Sequence, residues 1–247
     1  MKVTFRPMPW LSVIVAIMLV ILMSLGIWQY QRLQWKTELL AEVEVSVTAP
    51  PLTSLDDLER AIAAGEPVDF RRIEFTYVPV KGTPIYNVFR SQTGGIFWDE
   101  FVLIRDSQKF IFVLGNTIED EQKSNEFKEI SKKSLWDKFD TEYGYVREDH
   151  PMGLVESWVK SKPNRSTNRW FKFNQDGKWA DGLDSTNVIL SHYIELKTDA
   201  TSAETLPIRR PTIRNNHRDY MLTWFSFAGL LIIFYLLLHK RAGRLSW

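Results

Sequence analysis

Two uncharged apolar blocks, one near each end, constrain this chain most. Leu11 to Trp28 reads LSVIVAIMLVILMSLGIW and Tyr220 to Leu238 reads YMLTWFSFAGLLIIFYLLL, with no Asp, Glu, Lys or Arg in either. A bilayer core of about 30 Å needs roughly 17–25 apolar residues in helix. A charge at its centre would cost about 2.5–3.5 kcal/mol on insertion scales. Both blocks therefore read as transmembrane helices, 11–28 and 220–238. The first exceeds a signal-peptide core of about 7–15 residues and lacks a small-residue cleavage site, so it reads as an anchor. Two spans put the short basic tails, 1–10 and 239–247, on one side. They leave 29–219 as one extramembrane domain.

Charge does not choose the side. The tails carry Lys2, Arg6, Lys240, Arg241 and Arg244, while the inner flanks carry Arg32, Lys36, Arg209, Arg210, Arg214 and Arg218. The positive-inside count is close to balanced, and long domains translocate largely regardless of charge. A formal net charge of +1 leaves no footprint for nucleic acid, and the absence of cysteine excludes disulfides.

Past the first span, WQYQRLQWKTELLAEVE predicts a helix continuing two or three turns, with Trp28, Arg32 and Trp35 on one face, until Pro50-Pro51 stop it. In TSLDDLERAIAAG, Ser54 suits an N-cap, Asp56 and Asp57 suit the positive helix start, and Gly65 suits the exit. Leu55, Leu58 and Ile62 give that helix an apolar face. From Asp69 the texture changes. FRRIEFTYVPV, IYNVFR, FWDEFVLI, KFIFVLG and NVILSHYIEL are β-branched and aromatic, and read as strands. RDSQK reads as a hairpin connection, and EDEQKSNEFKEISKKSLWDKF as partly helical. Short gaps between strands argue against a parallel nucleotide-binding sheet. The expected fold class is membrane α+β, two transmembrane helices flanking a mainly antiparallel β domain with a few helices.

Enzyme motifs are missing. The chain has no G-x-x-x-x-G-K-[ST], no G-x-S-x-G and no H-E-x-x-H, so it does not read as an enzyme. His150, His192, His217 and His239 are scattered, unlike a zinc cluster. His150 precedes Pro151 and suits a turn, His192 suits strand packing, and His239 suits the headgroup level. Glu119-Asp120-Glu121 and Asp99-Glu100 read as solvated carboxylates. Asn164-Arg165-Ser166 is formally a glycosylation acceptor, relevant only in a eukaryotic secretory setting.

Two membrane-edge segments rise above this background. In LGIWQYQRLQWK, Leu25 to Lys36, Trp28 and Tyr30 suit an aromatic belt, while Ser24 and Gly26 allow close helix approach. Arg32 can reach a lipid phosphate. In NNHRDYMLTWF, Asn215 to Phe225, Asn216 suits an N-cap with Asp219 three residues on. His217 then stands about one turn above the apolar span, with Tyr220, Met221 and Trp224 on its face. Two readings stay open: a helix start, or an imidazole placed to ligate haem iron. Arg214 and Arg218 can pair with haem propionates or with lipid phosphates.

The order of these features resembles the Surfeit locus protein one (Shy) family. The first motif rests on Leu25, Gly26, Trp28, Gln29, Arg32 and Lys36. The second rests on Asn215, Asn216, His217, Tyr220, Thr223, Trp224 and Phe225. FRRIEFTYVPV and the Asn168–Trp170 segment resemble the family more loosely. Where the family usually has an Asn-Arg-Gly-Trp-Val-Pro run, this chain reads VLGNTIEDEQ, and no role is carried over from that loop.

The resemblance implies an assembly factor for haem-copper cytochrome c oxidase. It would bind haem a at the outer membrane edge, between the two helices, and aid its insertion into oxidase subunit I. Haem a synthase and the lipid bilayer are the other implied partners. His217 is the implied haem-iron ligand, with Met221 or a first-span residue available as a second. Arg214, Arg218, Tyr220, Trp224, Trp28 and Arg32 would complete the site. The implied location is the bacterial plasma membrane or mitochondrial inner membrane. The termini would be cytoplasmic or in the matrix, and the middle domain periplasmic or in the intermembrane space. The alternative is a scaffold that stabilises subunit I or haem a synthase without touching haem. An unrelated two-span sensor is a third reading, against which the short tails argue.

Overall fold

The computed structural model describes residues 4–80, 82–92, 95–122, 140–150, 162–197, 199–212 and 214–246. In chain order its elements begin β1 (Thr4–Phe5), α1 (Pro9–Thr48), α2 (Leu55–Ala63), β2 (Arg72–Pro79), β3 (Tyr86–Gln92) and β4 (Gly95–Asp106). They continue β5 (Lys109–Glu119), β6 (Asp140–Glu148), β7 (Val188–Leu196), α3 (His217–Arg241) and β8 (Leu245–Ser246). The chain divides into two compact units, Met1–Ala41 with Pro211–Trp247, and Glu42–Arg210.

The first unit is a helical hairpin. α1 and α3 are both long and apolar enough to cross a membrane. Their large apolar side chains, from Val13, Ile14 and Ile17 to Ile233 and Phe234, are exposed in the protein, the pattern of surfaces that lipid covers. The helices run antiparallel: Ser12 Oγ meets Tyr235 Oη at 2.5 Å at one end, and Gln29 meets His217 at the other. At the tails, β1 pairs antiparallel with β8, Thr4 opposite Ser246 and Phe5 opposite Leu245. His239, expected at headgroup level, is instead fully buried beneath this ladder. Its Nε2 accepts from the Met8 N–H at 3.1 Å and its Nδ1 donates to the Tyr235 carbonyl at 2.8 Å, so the ring bridges the two chain ends.

α1 runs further past Trp28 than predicted, to Thr48, about five turns instead of two or three. No glycine or proline interrupts it between Gly26 and Pro50. Its end is also held in the second unit. Ser46 Oγ donates to the Asp69 carbonyl at 2.7 Å, and Arg210 grips Glu44 through two hydrogen bonds of 2.8 and 2.7 Å.

The second unit is built on a six-stranded sheet ordered β2-β6-β7-β5-β4-β3. An additional pairing, Val78 with Arg105 and Pro79 with Ile104, brings β2 against β4 and curls the sheet into a half-barrel. All pairings are antiparallel except β5 with β7. That parallel pair lies within a sheet expected to be mainly antiparallel. RDSQK is the predicted hairpin, with Asp106 opposite Lys109 and Ser107 at φ 54°.

Both faces of β4 and β5 are covered, which is why their sequences are near-continuous apolar runs rather than alternating ones. Val102, Ile104, Ile111 and Val113 pack with Leu55, Leu58 and Ala61 of α2 in an aliphatic core. Phe101, Leu103 and Phe112 face an aromatic core with Tyr86, Trp170, Phe173 and Trp179. α2 forms as its sequence predicts: Ser54 accepts from the Asp57 N–H, Asp56 and Asp57 occupy the first turn, and Gly65 leaves at φ 72°. The missed strand is β6, DTEYGYVRE, which lies between β2 and β7. The predicted partly helical EDEQKSNEFKEISKKSLWDKF falls mostly outside the described residues; its start is the end of β5 and a short 3₁₀ turn, Asp120–Gln122.

Candidate functional site at the mouth of the hairpin

Three contacts bring the two membrane-edge motifs together within the hairpin. A Cβ added to Gly26 would lie 2.5 Å from Cε1 of Phe225, so the phenyl ring rests on the bare glycine backbone. His217 Nδ1 lies 2.7 Å from Gln29 Oε1. Lys36 Nζ donates to the carbonyl of Arg214. Gly26, Gln29 and Lys36 are separated by three and seven residues, one face of a 3.6-residue helix. The stripe is small or polar, and Gly26 supplies the bare surface that lets membrane helices pack closely.

His217 is the first residue of α3 and is half-buried. Its Nε2 has no hydrogen-bond partner among the described residues. Two further polar atoms in the same motif are buried and unpaired there, Asn215 Oδ1 and the indole Nε1 of Trp224. Met221 and Trp224 are half-buried and Tyr220 is 54% exposed. Trp28 is also 54% exposed, and Arg32 stacks on Trp35 at 3.9 Å, as their shared face predicts. Asn216 occupies the N-cap position, but its side chain makes no capping bond. With its oxygen turned to the guanidinium, it accepts from Arg214 Nε at 2.9 Å and Nη2 at 3.0 Å. The reason is competition: Arg214 offers a charged double donor two residues away.

The four arginines at and just ahead of the start of α3 separate into two kinds. Arg209 is bonded to Glu195, and Arg210 to Glu44. Arg214 and Arg218 form no salt bridge with a carboxylate among the described residues and are exposed. The sequence alone could not make this distinction, because the acidic partners lie 14 and 166 residues away.

A family model for the SURF1 family matches residues 16–229. The chain belongs to the SURF1 family. The match covers both motifs of the hairpin mouth and the β unit. Three SURF1-like proteins are similar along nearly their whole length. That of Rickettsia conorii is 26% identical, covering 92% of this chain and 90% of the relative. That of Rickettsia bellii is 27% identical over 90% and 87%, and that of Rickettsia felis 25% over 93% and 96%. SURF1 proteins are associated with cytochrome c oxidase assembly, and the family is one of assembly factors rather than a known enzyme family. This SURF1 chain, with its two apolar helices, fits a membrane protein.

Other titratable candidates resolve into structure. Asp99, expected to be solvated, is buried in β4. Burial raises its pKa, while it accepts from Thr117 Oγ1 at 2.8 Å and pairs with Arg90 at 3.0 Å. Asp120 accepts from the Trp98 indole at 2.6 Å. His192 is buried in β7 beside Ser191 Oγ at 2.8 Å, and burial lowers its pKa. His150 is exposed, 3.9 Å from Glu148. Asn164 closes a turn by accepting from Ser166 Oγ at 2.8 Å. Among the described residues no group of three or more His, Cys, Asp or Glu is placed to hold a metal ion.

Proposed function

We propose that this SURF1 protein carries haem a for cytochrome c oxidase assembly, binding it at the hairpin mouth and passing it to oxidase subunit I. The observation that supports this reading is His217 Nε2, an imidazole nitrogen without a partner among the described residues where the two family motifs meet. Imidazole is a good ligand for iron. Haem a brings the iron, two carboxylates and a wide apolar ring. Arg214 and Arg218 are the cations without acidic partners and suit the carboxylates. Tyr220, Met221, Trp224 and Trp28 supply apolar surface, and the unpaired Trp224 N–H and Asn215 oxygen suit polar substituents. Arg32 would assist at the rim.

The contacts Gly26–Phe225 and Gln29–His217 close the gap between α1 and α3 at this level. The ring would therefore lie on the flank of the hairpin and not between the helices. Met221, one turn from His217 on the same helix, would offer its thioether and apolar surface to the haem. The chain holds, shields and releases; no bond of the cargo changes. The β unit would face the periplasm or intermembrane space, with both termini cytoplasmic or in the matrix. Haem a synthase would be the donor.

The test is purification from membranes of a haem a-producing host. The wild-type protein should show a Soret band that His217→Ala loses; no band in wild type, or an equal band in the variant, sinks the reading. A second reading is favoured by the bond from His217 to Gln29, which makes the histidine a helix clamp in a haem-free scaffold. In that case His217→Ala would lower subunit I abundance while the oxidase that does assemble keeps its full haem a.

A further inference from the structure

We infer that Gln29 is a positioning residue that sets the tautomer of His217, so that Nε2 presents a lone pair instead of a proton; this rests on the haem-carrier reading above. A neutral imidazole in water favours its proton on Nε2, which would block that nitrogen as a ligand. The alternative ligand atom, Nδ1, is crowded by the histidine's own Cβ and backbone. With Gln29 presenting its carbonyl oxygen, which can only accept, the 2.7 Å contact puts the proton on Nδ1. Gln29 is 8% exposed, so water does not compete well for its amide.

The geometry around Gln29 keeps the amide in place. Three residues earlier Gly26 carries the Phe225 ring, and seven residues later Lys36 holds the Arg214 carbonyl three residues before His217. These contacts hold α1 against the start of α3 on either side of the Gln29–His217 pair. This is the arrangement by which metal-bound histidines are generally oriented, the second ring nitrogen donating to a carbonyl or carboxylate. Gln29 would touch neither iron nor ring; it acts through His217.

The experiment uses full-length protein in detergent, labelled with ¹⁵N-histidine and free of haem. At a pH where the ring is neutral, the His217 nitrogen shifts report which nitrogen carries the proton. Wild type should show the proton on Nδ1, Gln29→Ala should shift it towards Nε2, and Gln29→Glu, which keeps an acceptor, should restore it. On titration with haem, Gln29→Ala should weaken affinity about 10–100-fold. Gln29→Glu should retain binding and raise the iron–imidazole stretching frequency in resonance Raman spectra, a readout that a mere helix clamp would not move. An unchanged Nδ1 proton in Gln29→Ala overturns the inference even if wild type binds haem. The predicted tautomer change in a wild type that never binds haem leaves Gln29 as the orienting residue and removes the carrier reading instead.

Discussion

At Gly26 one hydrogen atom decides whether two helices can touch. Any Cβ there meets the Phe225 ring, so Gly26→Val must push α3 away or twist the ring. The expected cost is about 1–3 kcal/mol, read as a lower unfolding midpoint in detergent. Phe225→Leu should restore part of the loss, because the obstacle is a side chain and not backbone. At His192 the prediction concerns pH. Burial lowers the folded pKa below the ordinary 6.5, so the unfolded chain binds more protons than the folded one once pH falls below that value. The stability His192 allows is complete above about pH 6.5 and is lost as pH falls towards the folded pKa. His192→Asn should therefore flatten the stability curve between roughly pH 7 and 5. The neighbouring Asp149, and Asp99 elsewhere in the sheet, have raised values and slope the opposite way, so the comparison is the difference between variant and wild type. Asn168 was legible as part of a family-like segment, but its task was not. It sits at φ 48°, accepts from the Asn87 N–H at 3.2 Å and from the Trp170 indole at 3.0 Å, and donates to the Ile85 carbonyl at 2.9 Å. Asn168→Ala leaves buried donors unpaired and should cost on the order of 2–3 kcal/mol by urea titration.

Among the elements, those with strong local signals were readable. α2 announced itself by Ser54, two aspartates and Gly65, and β4 and β5 by uninterrupted apolar runs. β6 was not readable, because DTEYGYVRE mixes charge with only a few apolar residues. Its place is set by partners distant in sequence: Tyr145 pairs with Arg72 on one side and Glu195 on the other. Gly144 explains how closely β6 can approach β7. A Cβ there would lie 2.5 Å from the Glu195 carbonyl oxygen and 2.7 Å from Ile194 Cγ2. Backbone cannot step aside as Phe225 can, so Gly144→Ala should cost about 1–3 kcal/mol without relief from trimming Ile194 alone. The same strand pair carries Glu195. Desolvation raises its pKa, but the bonds and charges of Lys197 and Arg209 outweigh that and leave it lowered. Its contribution is present above the ordinary carboxylate range and lost as pH falls through the folded value. Glu195→Gln should destabilise the neutral-pH protein by about 1.5–3 kcal/mol and reduce its acid sensitivity.

For the whole molecule, the two spans and the family were legible because lipid imposes a long, charge-free signature and because both motifs are contiguous in sequence. The meeting of those motifs was not. Gln29 and Lys36 find partners 188 and 178 residues away, and Gly26 meets Phe225 at a greater separation still, so the pairs appear only when the chain is folded back. In a strain lacking the gene, the wild-type chain should restore oxidase with its full complement of haem a. His217→Ala should not, while Gly144→Ala should fail only in proportion to its lowered abundance, measured by immunoblot.

The clasp formed by β1, β8 and His239 has a consequence for the order of biosynthesis. Thr4 is made long before its partner, Ser246. The Met8 N–H likewise waits for His239. The Met8 contact needs His239 and the ladder needs residues 245 and 246, so the seam closes only after α3 has been made. Zipping this seam therefore has to follow the synthesis of both apolar helices.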